Sequence, residues 1–160
     1  PDHIAMSQLA ISAVTCAADR YCEVGGETGA CLYDLPSHRV EKLYYVAWTA
    51  EAWDIYQETF KTLVSTVDGT IRQANPWPEW AITTRVDCRA YWHHVWWAVQ
   101  CHRTQMSGYD ALRVVPEETH RRLWGNQTFY RVFSVVNGGR AVEKDLFEGL
   151  RVPERARATA

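Results

Sequence analysis

The chain has 160 residues, the size of one domain, and its 47% hydrophobic and 22% charged content is that of a globular protein. Its 17 basic and 19 acidic side chains leave a net charge of -2, which provides no positive field for nucleic acid. No run approaches the roughly 18 apolar residues of a membrane span, and the first residues lack the basic segment of a signal peptide. We therefore expect a soluble protein, secreted or cytoplasmic, with no nucleic-acid partner and no membrane span.

The N-terminal segment predicts a helix. Residues 3–22 contain no proline, and their apolar side chains recur at helical spacing on two faces. Met6 and Leu9 belong to one face, and Ile4 and Ile11 belong to the other. The pattern predicts a helix that is buried on two sides and ends before the glycine pair at 25–26.

Residues 42–67 admit two interpretations. The segment 42–48 is dense in aromatic and β-branched side chains and predicts a strand, after which Thr49 can cap an amphipathic helix over 50–67. Asp68 and Gly69 follow that helix. The alternative is one continuous helix over 37–67, because no glycine or proline interrupts it.

The segment 82–104 predicts a long strand, bent or broken in two, because Val, Trp, Tyr and Thr dominate it. The preceding NPWPEW, residues 75–80, predicts an irregular linker because its two prolines oppose regular structure. Its two tryptophans are expected to pack over the mouth of a core or cleft.

The C-terminal third predicts a short helix and a hairpin. Residues 116–125 begin with proline and end with glycine, as short helices do. Alternating residues on both sides of Asn137-Gly138-Gly139 predict a hairpin over 128–144. The sequence thus predicts a single compact α+β domain over 1–151, an antiparallel sheet with a C-terminal hairpin packed against two main helices, and a frayed tail over 152–160.

The five cysteines leave the redox state open. A secreted protein could form two disulfides and keep one thiol, whereas a cytosolic protein would keep all five reduced. Their spacing lacks the CxxC pattern of structural zinc sites, so no metal is predicted. Asn126-Gln127-Thr128 matches the glycosylation acceptor pattern, which has meaning only in a secreted chain. The cysteines stand at positions 16, 22, 31, 88 and 101.

The histidines of the aromatic segment suggest acid–base chemistry. On a strand, His93 shares a face with Asp87 and Tyr91, and either residue could orient an imidazole that acts as a general base. His94 points to the other face, and a register error of one residue would exchange the two. If the segment were a helix, His94 would instead align with His102 along one side. No sequence motif for a cofactor or nucleotide is present.

Eight tryptophans in 160 residues are several times the usual density, and indole rings suit a ligand pocket, an interface or an ordinary core. Three functions are therefore open: a domain that binds an apolar or aromatic small molecule, a metal-free acid–base enzyme (lyase, isomerase or hydrolase) that uses His93 or His94, and a protein–protein module or homo-oligomer. The predicted ligand-binding residues are Trp77, Trp80, Trp92, Trp96 and His102, and His94 joins the same cleft.

Overall fold

The computed structural model describes residues 2–22, 36–59 and 64–151. The chain divides into two compact units, residues 1–43 and 44–160. The predicted α+β class is confirmed: the described residues form four helices and a small antiparallel sheet. The assignment of 1–151 to one domain stays a prediction. The glycine pair at 25–26, the cysteine at 31 and the tail over 152–160 lie outside the described residues.

The first unit contains the predicted N-terminal helix, α1 (Asp2–Ala18). Its predicted burial on two sides is wrong for the described part of the chain, since no α1 residue is buried. Ile4, Met6 and Leu9 are 53%, 63% and 62% exposed. Apolar periodicity shows which side chains share a helix face, but it does not show whether another element covers that face.

Neither predicted state of the cysteines, two disulfides or five thiols, is found in the described residues: Cys16 and Cys22 form one disulfide, with their Cα atoms 5.3 Å apart, in the usual range for such bridges. The bridge joins the last turn of α1 to the chain after it, where the backbone N–H of Cys22 also donates to the Asp19 carbonyl. Cys88 and Cys101 are free thiols.

The second unit starts within β1 (Lys42–Val46), which confirms the predicted strand and excludes the continuous helix. The helix α2 (Ala50–Thr59) follows, and Thr49 caps it as predicted by accepting the backbone N–H of Ala52 at 3.2 Å.

The predicted helix over 50–67 is too long, because its last four residues form a strand. A short antiparallel hairpin joins β2 (Val64–Val67) to β3 (Thr70–Gln73). Asp68 and Gly69 at its turn have φ of 52° and 74°. Two successive residues with positive φ are what a tight hairpin turn requires, so Asp-Gly is a turn signal here and not a helix end.

The main sheet has three strands in the order β1, β5 (Asn126–Ser134) and β4 (Thr84–Asp87). β4 pairs antiparallel with β5, with Thr84 opposite Phe129. β5 is therefore the central strand, and both of its edges are occupied.

The occupied edges explain why the predicted hairpin over 128–144 does not form. After β5 the chain turns through Asn137-Gly138-Gly139 and returns without a second strand. It reaches β4 instead, where Glu143 forms a parallel bridge with Thr84. The backbone N–H of Glu143 donates to the Thr83 carbonyl at 2.9 Å, and the N–H of Arg85 donates to the Glu143 carbonyl at 2.8 Å.

The long strand predicted over 82–104 is wrong beyond β4. The chain turns at 88–91 and then forms α3 (Trp92–Gln100) and a 3-10 segment (Arg103–Arg113) with a kink at Tyr109. Residues 92, 95, 96 and 99 pack against the core, a spacing that belongs to a helix and not to a strand. Aromatic composition favoured the strand, and this spacing overrides it.

The core of the second unit lies between α2, α3 and α4 (Glu117–Trp124). Pro116 precedes α4 and Gly125 follows it, so the short helix predicted over 116–125 is confirmed. The predicted linker over 75–80 is irregular through residue 78 and ends in a 3-10 turn at Glu79–Ala81. The buried core cluster consists of Ile55, Tyr56, Leu112, Leu123 and Trp124.

Candidate functional site

A buried histidine that the sequence analysis did not single out organises the aromatic core. His120 on α4 is only 6% exposed. Its ring stacks on Trp92 at a centroid distance of 5.6 Å and lies 4.8 Å from the ring of Trp96. The indole Nε1–H of Trp124 donates to its Nδ1 at 3.3 Å, and its imidazole also hydrogen-bonds to the backbone of Leu112. His120 is thus a neutral core histidine with partners for its polar atoms.

Burial lowers the pKa of His120 below its ordinary value, although the hydrogen bond to Leu112 opposes the shift. The unfolded chain takes up a proton at this imidazole near pH 6.5, whereas the folded chain takes it up only at a lower pH. Because the unfolded state then binds more protons, we expect the free energy of unfolding to decrease as the pH falls below about 6.5, by at most about 1.4 kcal/mol per pH unit from this group.

Urea denaturation at about pH 7.5 and about pH 5.5 measures this dependence. The variant His120→Gln, whose amide can replace both hydrogen bonds but does not titrate, should lose part of the wild-type slope. The variant of an exposed histidine, His93→Gln, should keep it. Equal slopes in the wild type and His120→Gln would contradict the assignment.

Next to this core, between α2, α3 and the 3-10 segment, a pocket of about 210 Å³ opens. Its floor is apolar and buried, with Tyr56 5% and Met106 4% exposed. The polar side chains of His102 and Gln105 are exposed at its rim. The pocket is lined by Trp48, Tyr56, Val99, His102, Gln105, Met106 and Tyr109.

The aromatic side chains of this pocket hold one another in place. The rings of Trp48 and Tyr56 meet edge to face at 4.9 Å, a favourable geometry for aromatic pairs. Burial and the hydrogen bond with the Tyr109 phenol raise the pKa of Tyr56, so its phenol stays protonated at all physiological pH values. The Tyr56 side of the pocket is therefore uncharged.

The structure does not bring the predicted ligand-binding residues into one cleft. Trp92 and Trp96 pack on His120 in the core. Trp77 stacks on Tyr130 at 5.2 Å, and Trp80 is 85% exposed. Of the predicted set, His102 is the residue that lines the aromatic pocket.

The predicted catalytic residues lie at and beyond the end of β4 without forming a coupled pair. Asp87 accepts two hydrogen bonds from the Arg89 side chain, at 2.9 and 2.6 Å, and these lower its pKa to about 2. His93 and His94 lie on the exposed side of α3 with ring centroids 4.1 Å apart, and Tyr91 lies 6.1 Å from His94. Both carboxylate oxygens of Asp87 thus accept hydrogen bonds from Arg89. An acid–base role for the two imidazoles stays a prediction.

A buried carboxylate is the second group that the sequence analysis missed. Glu143 is 2% exposed, and its Oε1 lies 2.9 Å from the guanidinium of Arg131, which is itself largely buried. Its Oε2 accepts the hydroxyls of Tyr44 at 2.8 Å and Thr84 at 2.7 Å, and Asn137 donates to Oε1 at 2.5 Å. A glutamate between a glycine-rich turn and a charged tail carries no sequence signal that distinguishes it from a surface residue.

No protein-family model matches this chain, and no solved structure matches it. Of the helices in the described ranges, none combines the length and apolar character that crossing a bilayer requires. Among the same residues, no three His, Cys, Asp or Glu side chains lie close enough together to hold a metal ion.

Proposed function

We propose that the second unit is a small-ligand-binding domain whose site is the aromatic pocket between α2, α3 and the 3-10 segment. The observation that carries the proposal is the combination of a buried apolar floor with two exposed polar side chains at the rim. Ligand sites in proteins have this construction, because the apolar wall supplies affinity and a few polar groups fix orientation.

The dimensions of the pocket restrict the ligand. Its volume is about 210 Å³, whereas pockets for drug-sized molecules measure about 300–1,000 Å³. A molecule of one or two aromatic rings fits, and a larger polycyclic molecule does not. The rings of Trp48 and Tyr56 suit a flat apolar body, and His102 and Gln105 suit a hydroxyl or amide at the outer end of the ligand.

A titration with probes of increasing size tests the proposal. We expect saturable binding of indole and 2-naphthol, and no binding of pyrene at this site. The indole N–H resonances of the tryptophans in a ¹H–¹⁵N spectrum report binding, with Trp48 shifting and Trp97, which is 66% exposed on α3, unchanged. If neither small probe shifts Trp48, the pocket does not bind such ligands.

The rim histidine gives a sharper prediction. His102→Ala should weaken the binding of 2-naphthol about two- to tenfold, because it removes one hydrogen bond to the ligand. His93→Ala is the matched control, since His93 is an exposed imidazole on α3 that does not line the pocket. Equal affinities of the two variants would contradict the role of His102, and the apolar floor would remain testable by the size series.

A further inference from the structure

The second unit has another concave surface, far less enclosed by aromatic side chains. A groove of about 660 Å³ lies between residues 79–83 and residues 139–142. Trp80 forms one side and is 85% exposed. Burial of this indole would remove a large apolar area from water. Arg140 lies among the residues of the opposite side.

The charges around the groove are not balanced. Glu79 is paired with the guanidinium of Arg85, which neutralises its carboxylate. Arg140 makes no hydrogen bond or ion pair in the part of the chain that the structure describes, so one positive charge is left without a partner. A guanidinium is a planar donor that binds a carboxylate through two parallel hydrogen bonds.

The groove is held in shape by the buried carboxylate network. Arg131 donates to the carbonyl of Gly139 at 3.2 Å, which fixes the residue before Arg140. The backbone of Glu143 joins the returning chain to Thr83 and Arg85 through two hydrogen bonds of 2.9 and 2.8 Å. The segment that carries Arg140 is thus anchored on both sides. It lies opposite Trp80 before any ligand binds.

We propose that this groove binds a small aromatic carboxylate. The indole of Trp80 stacks on the flat apolar body, and Arg140 binds the carboxylate. The buried side chain of Ile82, 4% exposed, and the side chain of Val142 supply the apolar base of the groove. This site is separate from the aromatic pocket, and neither Trp80 nor Arg140 lines that pocket.

A comparison of two probes of the same shape, one a carboxylate and the other its uncharged amide, tests the proposal. The full chain is titrated with 2-naphthoate and with the uncharged 2-naphthamide, and binding is followed at the indole N–H resonance of Trp80. We expect 2-naphthoate to bind at least about tenfold more tightly at Trp80, because a charge-assisted bidentate contact is lost in the amide. Equal affinities of the two probes, or no shift at Trp80, would overturn the proposal.

Variants assign the contributions of the two side chains. Arg140→Gln should abolish the preference for the carboxylate, and Trp80→Ala, in which binding is followed at the backbone amide resonance of Arg140, should weaken the binding of both probes. Trp97→Ala and Arg122→Gln, which change an exposed tryptophan and an exposed arginine elsewhere, should leave both affinities unchanged. An unchanged preference in Arg140→Gln contradicts the site. Occupancy of the aromatic pocket by either probe appears separately, as a shift of Trp48.

Discussion

Replacing Glu143 by glutamine is expected to lower the free energy of unfolding by about 3–5 kcal/mol, the usual cost of breaking a buried ion pair. The substitution hardly changes the side-chain volume, but it leaves the Arg131 guanidinium, which is largely buried, without a counterion. In the wild type the hydroxyls of Tyr44 and Thr84 donate to the carboxylate. In the variant they would face an amide nitrogen or an uncharged oxygen instead. Urea denaturation gives the difference, and the thermal midpoint should fall by roughly 2–4 °C per kcal/mol.

Glu58→Gln is the matched control, since Glu58 is an exposed residue of α2, and it should change stability by no more than about 0.5 kcal/mol. The double variant Glu143→Leu/Arg131→Met removes both charges together and should recover part of the loss. If Glu143→Gln is as stable as Glu58→Gln, the carboxylate is not the buried centre of this network.

The second large effect is expected from Leu112→Ala, which should destabilise the protein by about 2–5 kcal/mol. Leu112 is fully buried and packs in the core cluster with Ile55 and Trp124. Truncation removes apolar contacts and leaves a cavity between helices that cannot all move inward. The backbone of Leu112 also holds His120, so movement of the 3-10 segment would disturb that imidazole.

Val114→Ala provides the comparison for this substitution, because Val114 lies two residues away and is 83% exposed. Its cost should stay within about 0.5 kcal/mol. Chemical denaturation of the two variants, followed by far-UV circular dichroism, measures both. A cost for Leu112→Ala that does not exceed that of Val114→Ala would show that the core does not depend on this side chain.

Local sequence signals were sufficient to predict the helices whose ends are marked by capping residues. Thr49 caps α2, and Pro116 and Gly125 bracket α4, as expected from helix-terminal chemistry. The α+β class followed from these elements. The strand predicted for the aromatic segment is wrong because β propensity largely reflects how a side chain packs on a half-buried surface. On α3 the same Trp and Val side chains pack on other helices.

Long-range partners were the part that the sequence could not provide. The hairpin predicted after β5 was reasonable from its Asn-Gly-Gly turn, yet β1 and β4 already occupy both edges of β5. The aromatic pocket depends in the same way on the kink at Tyr109, which sets residues of the 3-10 segment opposite Trp48. Periodicity along one segment contains no information about which distant segment reaches it first.

The partners of Glu143 also determine when the second unit can be completed during synthesis. The carboxylate bonds to a tyrosine 99 residues earlier and to a threonine 59 residues earlier in the chain. A ribosome releases the N-terminal residues first, so β1, β4 and β5 all emerge before Glu143, which neutralises Arg131. Until then the sheet contains a guanidinium without a counterion at its centre. Emergence of residue 143 therefore completes the sheet, and a nascent chain that stops before it exposes an unfinished sheet to chaperones and proteases.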